Sequence, residues 1–282
     1  MEDKESITIR KAVINQAINY IFEHIDEDIM VEDVAKYCSY SKYHLMRMFK
    51  EDMDEALYQF IKRVRLERSA WRLKVEKERS ITEIGETYGY SSSNFATAFK
   101  KHLDISPADY RRSSEQMVED SSFSHGMTLD DLDDAGSKIT VEYLAPFTVL
   151  YERKKGNYHN LSDEWCDFIE KYRYLATKDT LYIDCTIDDP SITDEDGCMY
   201  ELCQTVIPDH PVFKDHPEIL LHDFEGGKYA VYHFKGVPQL LFMVYQEIFC
   251  RWLSKTGNEL DERPIIDIYR KIEEDGYMEI DI

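Results

Sequence analysis

Between Ile7 and Glu27 the apolar residues Ile7, Val13, Ile14, Ile18, Ile21, Phe22 and Ile25 recur at helical spacing, which predicts one amphipathic helix. A short helix over about 32–38 follows, then a turn at Ser39–Tyr40. Ser41 is a good N-cap for a helix through Lys50, and a long helix is predicted from Ala56 to about Val75. Ser80-Ile81-Thr82-Glu83 has the spacing of a capping box, in which hydroxyl and carboxylate satisfy each other's free backbone donors. Gly89 supplies a turn, Ser91–Ser93 open a helix through His102, and Ser106-Pro107 start another with proline at its first position. From Lys138 the period of the pattern drops to two. Ile139–Arg153, Leu181–Ile187, Met199–Ile207, Ile219–Phe234, Ile265–Arg270 and Tyr277–Ile282 read as strands, interrupted by helical stretches at about 160–176 and 238–255. Residues 113–136 fit neither period. They carry seven acids and no Lys or Arg, and read as a linker.

The helical part is duplicated. Residues 34–62 return without a gap fifty positions later at 84–112: Tyr40-Ser41 answers to Tyr90-Ser91, Leu45 and Phe49 to Phe95 and Phe99, Lys50 to Lys100, Asp54 to Asp104. A helical unit present twice at fixed separation suits the reading of two successive turns of a DNA groove. In the first copy Leu45 and Phe49 should face inward, which turns Lys42, Tyr43, Met46, Arg47 and Lys50 outward, with Ser41 at the helix start. An arginine there can make the bidentate contact to guanine. In the second copy Phe95 and Phe99 face inward, leaving Ser92, Ser93, Asn94, Thr97, Lys100 and Lys101; Asn94 could read adenine.

A net charge of −22 argues against nucleic acid until its distribution is considered. Residues 1–112 hold 19 basic and 20 acidic residues; of the chain's 34 and 56, that leaves 15 basic and 36 acidic for the rest. Lys62–Arg79 alone has eight basic residues against three acids and is expected to offer a local phosphate-binding face. Six scattered cysteines without a CxxC pair predict reduced thiols rather than a zinc site or a disulfide framework. No apolar run approaches the roughly 18–20 residues of a membrane span, and no signal peptide is evident, so the cytoplasm is the expected location.

The second part places Tyr143, Tyr151, Trp165, Tyr200, Tyr229, Tyr232 and Tyr269 among an excess of acids. Ile139 to Gly156 and Ile219 to Gly236 are similar in length and ending, and each leads into a helix holding Trp165 or Trp252. An α+β domain of two pseudo-symmetric strand-helix-strand halves follows, with an aromatic, acidic pocket suited to an organic cation where the halves meet.

The strings YSKYHLMRMFKE and GYSSSNFATAFKKHLDISPADYRR resemble the AraC/XylS type of DNA-binding domain over about residues 8–112. That resemblance implies seven helices forming two helix-turn-helix motifs, with recognition helices at 41–50 and 92–102 entering adjacent major-groove segments. VEYLAPFTVLYERKKGNY, MYELCQTV, GGKYAVYHFKG and PIIDIYRKI are similar to the gyrase-inhibitor-like (GyrI-like) ligand-binding domain. This second resemblance implies a cup for hydrophobic, often cationic, small molecules. Its acid falls at Asp267, followed by Tyr269, and its aromatic helix position at Trp165.

The chain is therefore expected to be multidomain. A double helix-turn-helix domain (1–112), an acidic linker (113–136) and a small-molecule-binding domain (137–282) would together form a transcription regulator. Its expected partners are double-stranded DNA, a small organic effector and RNA polymerase. No cofactor, metal or catalysis is expected. Two alternatives remain: a GyrI-like hydrolase using Asp267 with Tyr269 or Tyr151, and an acidic protein that sequesters a basic partner.

Overall fold

The computed structural model describes residues 4–114, 138–157, 161–216, 218–256, 258, 263–273 and 277–282. The chain divides into two compact units, Met1–Ser114 and Glu115–Ile282. Most of the expected linker, residues 115–136, lies outside the described residues; Ser113 and Ser114 continue the last helix of the first unit.

The first unit is helical: α1 (Lys4–Glu23), α2 (Val31–Tyr37), α3 (Lys42–Met53), α4 (Leu57–Val75), α5 (Ile81–Thr87), α6 (Ser92–Leu103) and α7 (residues 107–114). Three of the predicted starts are made by the predicted side chains, whereas Ser91 precedes α6 without a side-chain cap bond. Ser41 Oγ accepts from the His44 amide, and Ser80 and Glu83 exchange two hydrogen bonds of 2.9 and 3.2 Å. Ser106 Oγ accepts from the Asp109 amide ahead of α7.

The fifty-residue repeat is a repeat in three dimensions. Ser39 and Gly89 both take positive φ before the outward helices, and Asp54 and Asp104 both take left-handed φ after them. Phe49 meets Phe60 edge-on at 5.1 Å, and Phe99 meets Tyr110 edge-on at 5.5 Å. Edge-to-face pairs contribute about 0.5–1.5 kcal/mol beyond area burial. Where copy one has Ala35 and Leu45 at the corresponding positions, copy two sets Gly85 against the larger Phe95: a Cβ on Gly85 would stand 2.8 Å from the Phe95 ring. The smaller residue accommodates the bigger ring.

The second unit is a seven-stranded sheet with a two-stranded sheet beside it. β1 (Thr140–Leu144) pairs antiparallel with β6 (Gly227–Val231). The larger sheet runs β5-β2-β4-β3-β8-β9-β7, from β2 (Phe147–Lys155), β3 (Tyr182–Thr186), β4 (Met199–Thr205), β5 (Leu220–Phe224), β7 (His233–Gly236), β8 (Ile265–Ile272) and β9 (Met278–Asp281), every pair antiparallel. Two helices lie along it: α8 (Leu161–Tyr172), and a second beginning with α9 (Leu241–Gln246) and continuing through six π-helical residues, Glu247–Trp252, to Thr256. Alternation divides the core between the two faces of the sheet. Val149, Tyr151, Ile183, Cys185, Cys203, Ile266 and Ile268 fill one face. Leu150, Tyr200 and Leu202 pack against Trp165, Phe168 and Tyr172 of α8 on the other, where Ile280 meets Val244 and Ile248 of the second helix. No helix among the described residues is long and apolar enough to cross a membrane.

Candidate functional site

In the first unit the outward positions follow from what is buried. Leu45, Met48, Phe49 and Met53 anchor α3, and Phe95 and Phe99 anchor α6. Tyr43, Arg47 and Lys50 are exposed, Tyr43 at 83%, so a large aromatic stands in solvent beside two cations. Met46 is half-buried at the edge of this face. Two expected residues have work inside the fold. Ser41 caps α3, and Lys42 Nζ lies 2.5 Å from Glu32 Oε1, a bond that raises the lysine's pKa and lowers the glutamate's. On α6, Ser92, Ser93, Asn94, Thr97, Lys100 and Lys101 are all exposed, and Thr97 Oγ1 donates to the Ser93 carbonyl at 3.0 Å. Ala96, Thr97, Lys100, Lys101 and Ser106 line a shallow open depression on this side.

The eight basic residues of 62–79 are half-buried or buried, and several are engaged within the fold rather than held out as the open phosphate face that the sequence suggested. Arg63 bonds Glu55 and Glu67, and Arg65 donates to the carbonyls of Ile25 and Glu27. Arg68 lies over the Phe22 ring; Arg72 reaches the Tyr88 hydroxyl and Glu76. These cations fasten α4 to its neighbours. Buried Glu67 takes a further contact from His102 Nε2 at 3.2 Å, tying the connecting helix to α6.

In the second unit a polar cluster sits on the sheet face beneath the two helices. Asp184 of β3 and Asp267 of β8 are register partners, so both side chains point to this face. The next pair along the same face is Tyr182 with Tyr269. The Trp165 ring stands edge-on to both, at 6.1 and 5.4 Å. Tyr245 of α9 donates to Asp267 Oδ2. Tyr200 is fully buried and bonds Glu164 Oε2 at 2.9 Å. Burial raises the Asp267 carboxyl to about 7, with the Tyr245 hydrogen bond holding it back. Burial, with the charges of Asp267 and Glu201, pushes Asp184 well above the carboxylate range. An acid near neutrality can hold either a proton or a cation.

Of the six residues expected to line a pocket, Trp165, Tyr200, Asp267 and Tyr269 are thus brought together. Tyr232 packs at the edge of the cluster under the second helix, which Tyr269 also joins. Tyr151 is on the opposite face, with Ile183 and Cys203, because it is one step out of phase with Leu150 along β2. Asp184 and Tyr245 were missed by sequence reasoning. The signal for Asp184 was present: an isolated acid in YIDCT, matching the isolated acid in IIDIY.

All six cysteines are free thiols. The ligand atoms of Cys185, Cys203 and Glu201 lie within 4.8 Å of one another on the face away from the acid pair. Glu201 is already bonded by the buried Arg153 guanidinium, and both thiols have raised pKa values, Cys185 through its bond with Cys203 and then burial, Cys203 through burial. The two sulfurs, 3.9 Å apart, form a neutral buried pair.

Comparison with known proteins adds to this geometry. A helix-turn-helix domain model matches residues 34–113, and a GyrI-like small molecule binding domain model matches residues 137–282. Regulatory protein SoxS of Salmonella typhimurium is 37% identical over 100 residues, covering 35% of this chain and 92% of that protein. Transcriptional regulator Rob of the same organism is 38% identical over 104 residues, which are 36% of either chain, so the match spans about a third of Rob. The C-terminal domain of AraT, a response regulator from Geobacillus stearothermophilus, is a solved structure 34% identical, with TM-score 0.34, covering 36% of this chain and 84% of that one.

Proposed function

Since the chain belongs to the GyrI-like small-molecule-binding family through its second unit, and to the AraC-type helix-turn-helix regulators through its first, we propose that it is a DNA-binding transcription regulator governed by a small organic cation. The observation that carries the DNA half is the doubled geometry. Two twelve-residue helices, entered and left through the same backbone turns, carry Tyr43, Arg47 and Lys50 on one and Ser93, Asn94, Thr97 and Lys100 on the other in solvent. In this reading α3 and α6 enter successive major-groove segments, and Arg47 contacts guanine. Arg47 has Thr97 as its counterpart, so the second helix acts mainly on phosphates through Lys100 and Lys101.

The effector would lie between α8 and the second helix, against Asp267, Tyr269, Trp165 and Tyr200, with Tyr232 at the rim. A buried carboxylate ringed by aromatics attracts a cation through charge and ring quadrupole together. The two halves of this unit are read as pseudo-symmetric. In support, strands β2-β4-β3 are mirrored by β7-β9-β8 across the sheet centre, and β5 pairs with β2 as β1 pairs with β6. Residues 115–136 serve as the linker, the cytoplasm is the working compartment, and RNA polymerase is a further partner. No catalytic step is assigned.

The test is selection of duplexes by the full chain from a randomised pool, followed by titration of the winner and a scrambled duplex across 50–300 mM salt. Selective binding that weakens steeply with salt is expected. Equal affinity for both duplexes would remove the regulator reading.

A further inference from the structure

Resting on the effector site just proposed, we infer that Asp184 is a second acid of that site and that the pair selects cations bearing several N–H donors, such as amidinium or guanidinium groups, over fully substituted onium ions. The family resemblance supplies one acid, Asp267; Asp184 stands directly across from it on the neighbouring strand.

Three buried polar atoms mark the site. Asp184 Oδ1, Asp267 Oδ1 and Gln204 Oε1 each have no hydrogen-bond partner among the described residues, although their side chains are all more than nine-tenths buried. They share one patch. Gln204 pairs in register with Tyr182, whose other partner is Tyr269, next along the face from the acid pair; the Trp165 ring touches both tyrosines. Buried polar groups are rarely left unpaired, because each then loses its hydration with nothing in return, so three within one patch point to a ligand.

The inventory sets the chemistry. All three atoms are oxygens able to accept. Two carboxyls on facing strands also resist ionising together, since like charges in a dry site repel. A planar amidinium presents several N–H donors in a fixed fork and a single positive charge, which matches carboxyl acceptors on adjacent strands. A quaternary ammonium brings the charge and leaves every acceptor unpaired. A site that forms buried hydrogen bonds to its ligand discriminates strongly against an analogue lacking the donors.

The experiment titrates the full chain by calorimetry with 2-naphthamidine and with 2-naphthyltrimethylammonium, equal in charge and similar in ring. The amidine is expected to bind at least 10-fold more tightly. Asp184→Asn is expected to remove most of that preference, the amidine losing more affinity than the trimethylammonium ion. Thermal melting of the variant establishes that it folds. Equal affinity of the unsubstituted chain for both cations, with both weakened by Asp267→Asn, would overturn the role of Asp184 and leave the effector site standing. Binding of neither cation would overturn both.

Discussion

Arg47 stands where Thr97 stands fifty residues later, so only the first outward helix carries a fork of donors able to meet a guanine edge. Truncating each tests that division. Arg47→Ala should lower the ratio of affinities for selected and scrambled duplexes by roughly 10-fold or more, the 1–3 kcal/mol of a bidentate base contact. Lys100→Ala should weaken both duplexes alike and reduce the slope of log affinity against log salt by about one. Filter binding across salt separates the two effects, and identical behaviour of the variants would contradict the assignment. At Asp267 the same scale gives a pH prediction. Its folded pKa of about 7 lies above the ordinary carboxylate value, because burial opposes the charge more than the Tyr245 hydroxyl favours it. The folded protein therefore holds the proton that the unfolded chain releases near pH 4, and stability falls as pH rises from about 4 to 7. Asp267→Asn removes that loss. The melting temperature of the variant relative to the unsubstituted chain should climb by several degrees across the window, and parallel curves would refute the buried acid.

Among the elements, the clearest difference between the copies lies under the second outward helix. Gly85 lets Phe95 approach to a distance that a methyl group would forbid, whereas copy one uses Ala35 with Leu45. Gly85→Ala alone should destabilise the first unit by about 1–3 kcal/mol through overpacking. Combined with Phe95→Leu it should recover much of that loss, because the pair then copies the first motif. Denaturant melts of the two singles and the double close the cycle, and additive losses would show that the contact is not the cause. Here the sequence was readable: repeat, caps and turns act over a few residues, so Ser41, Ser80-Glu83 and Ser106-Pro107 could be placed before any coordinates. Long-range partners were not readable. The run from Lys62 to Arg79 looked like a phosphate face because its acids were counted locally, while Glu55 and the carbonyls of Ile25 and Glu27 come from elsewhere in the chain. The breaks that divide Ile139–Arg153 and Ile219–Phe234 into shorter strands carry local signals, Pro146 and Gly226-Gly227, which the reading of long strands ran across; the π-helical segment after Gln246 has no such signal.

At the level of the whole molecule, charge is divided between a nearly neutral reading unit and a strongly acidic second unit. In the proposed reading, the division lets one chain approach phosphates through a few exposed cations while its second unit attracts a positive ligand. The position of the acid site followed from Asp267 and Tyr269, but its second acid did not. Asp184 gains meaning only from the β3–β8 register, which pairs residues more than eighty apart. Tyr151, sound as an aromatic candidate by composition, ends on the far face because it is one step out of phase with Leu150 along β2. A regulator requires the ligand to favour one state of the chain over another, and linkage makes that coupling measurable from the DNA side. The most direct measurement is the affinity of the full chain for its selected duplex with and without saturating 2-naphthamidine. The affinity should change by at least 5-fold in the unsubstituted chain and stay unchanged in Asp267→Asn. Selective DNA binding that ignores a bound amidine would contradict the account at its centre.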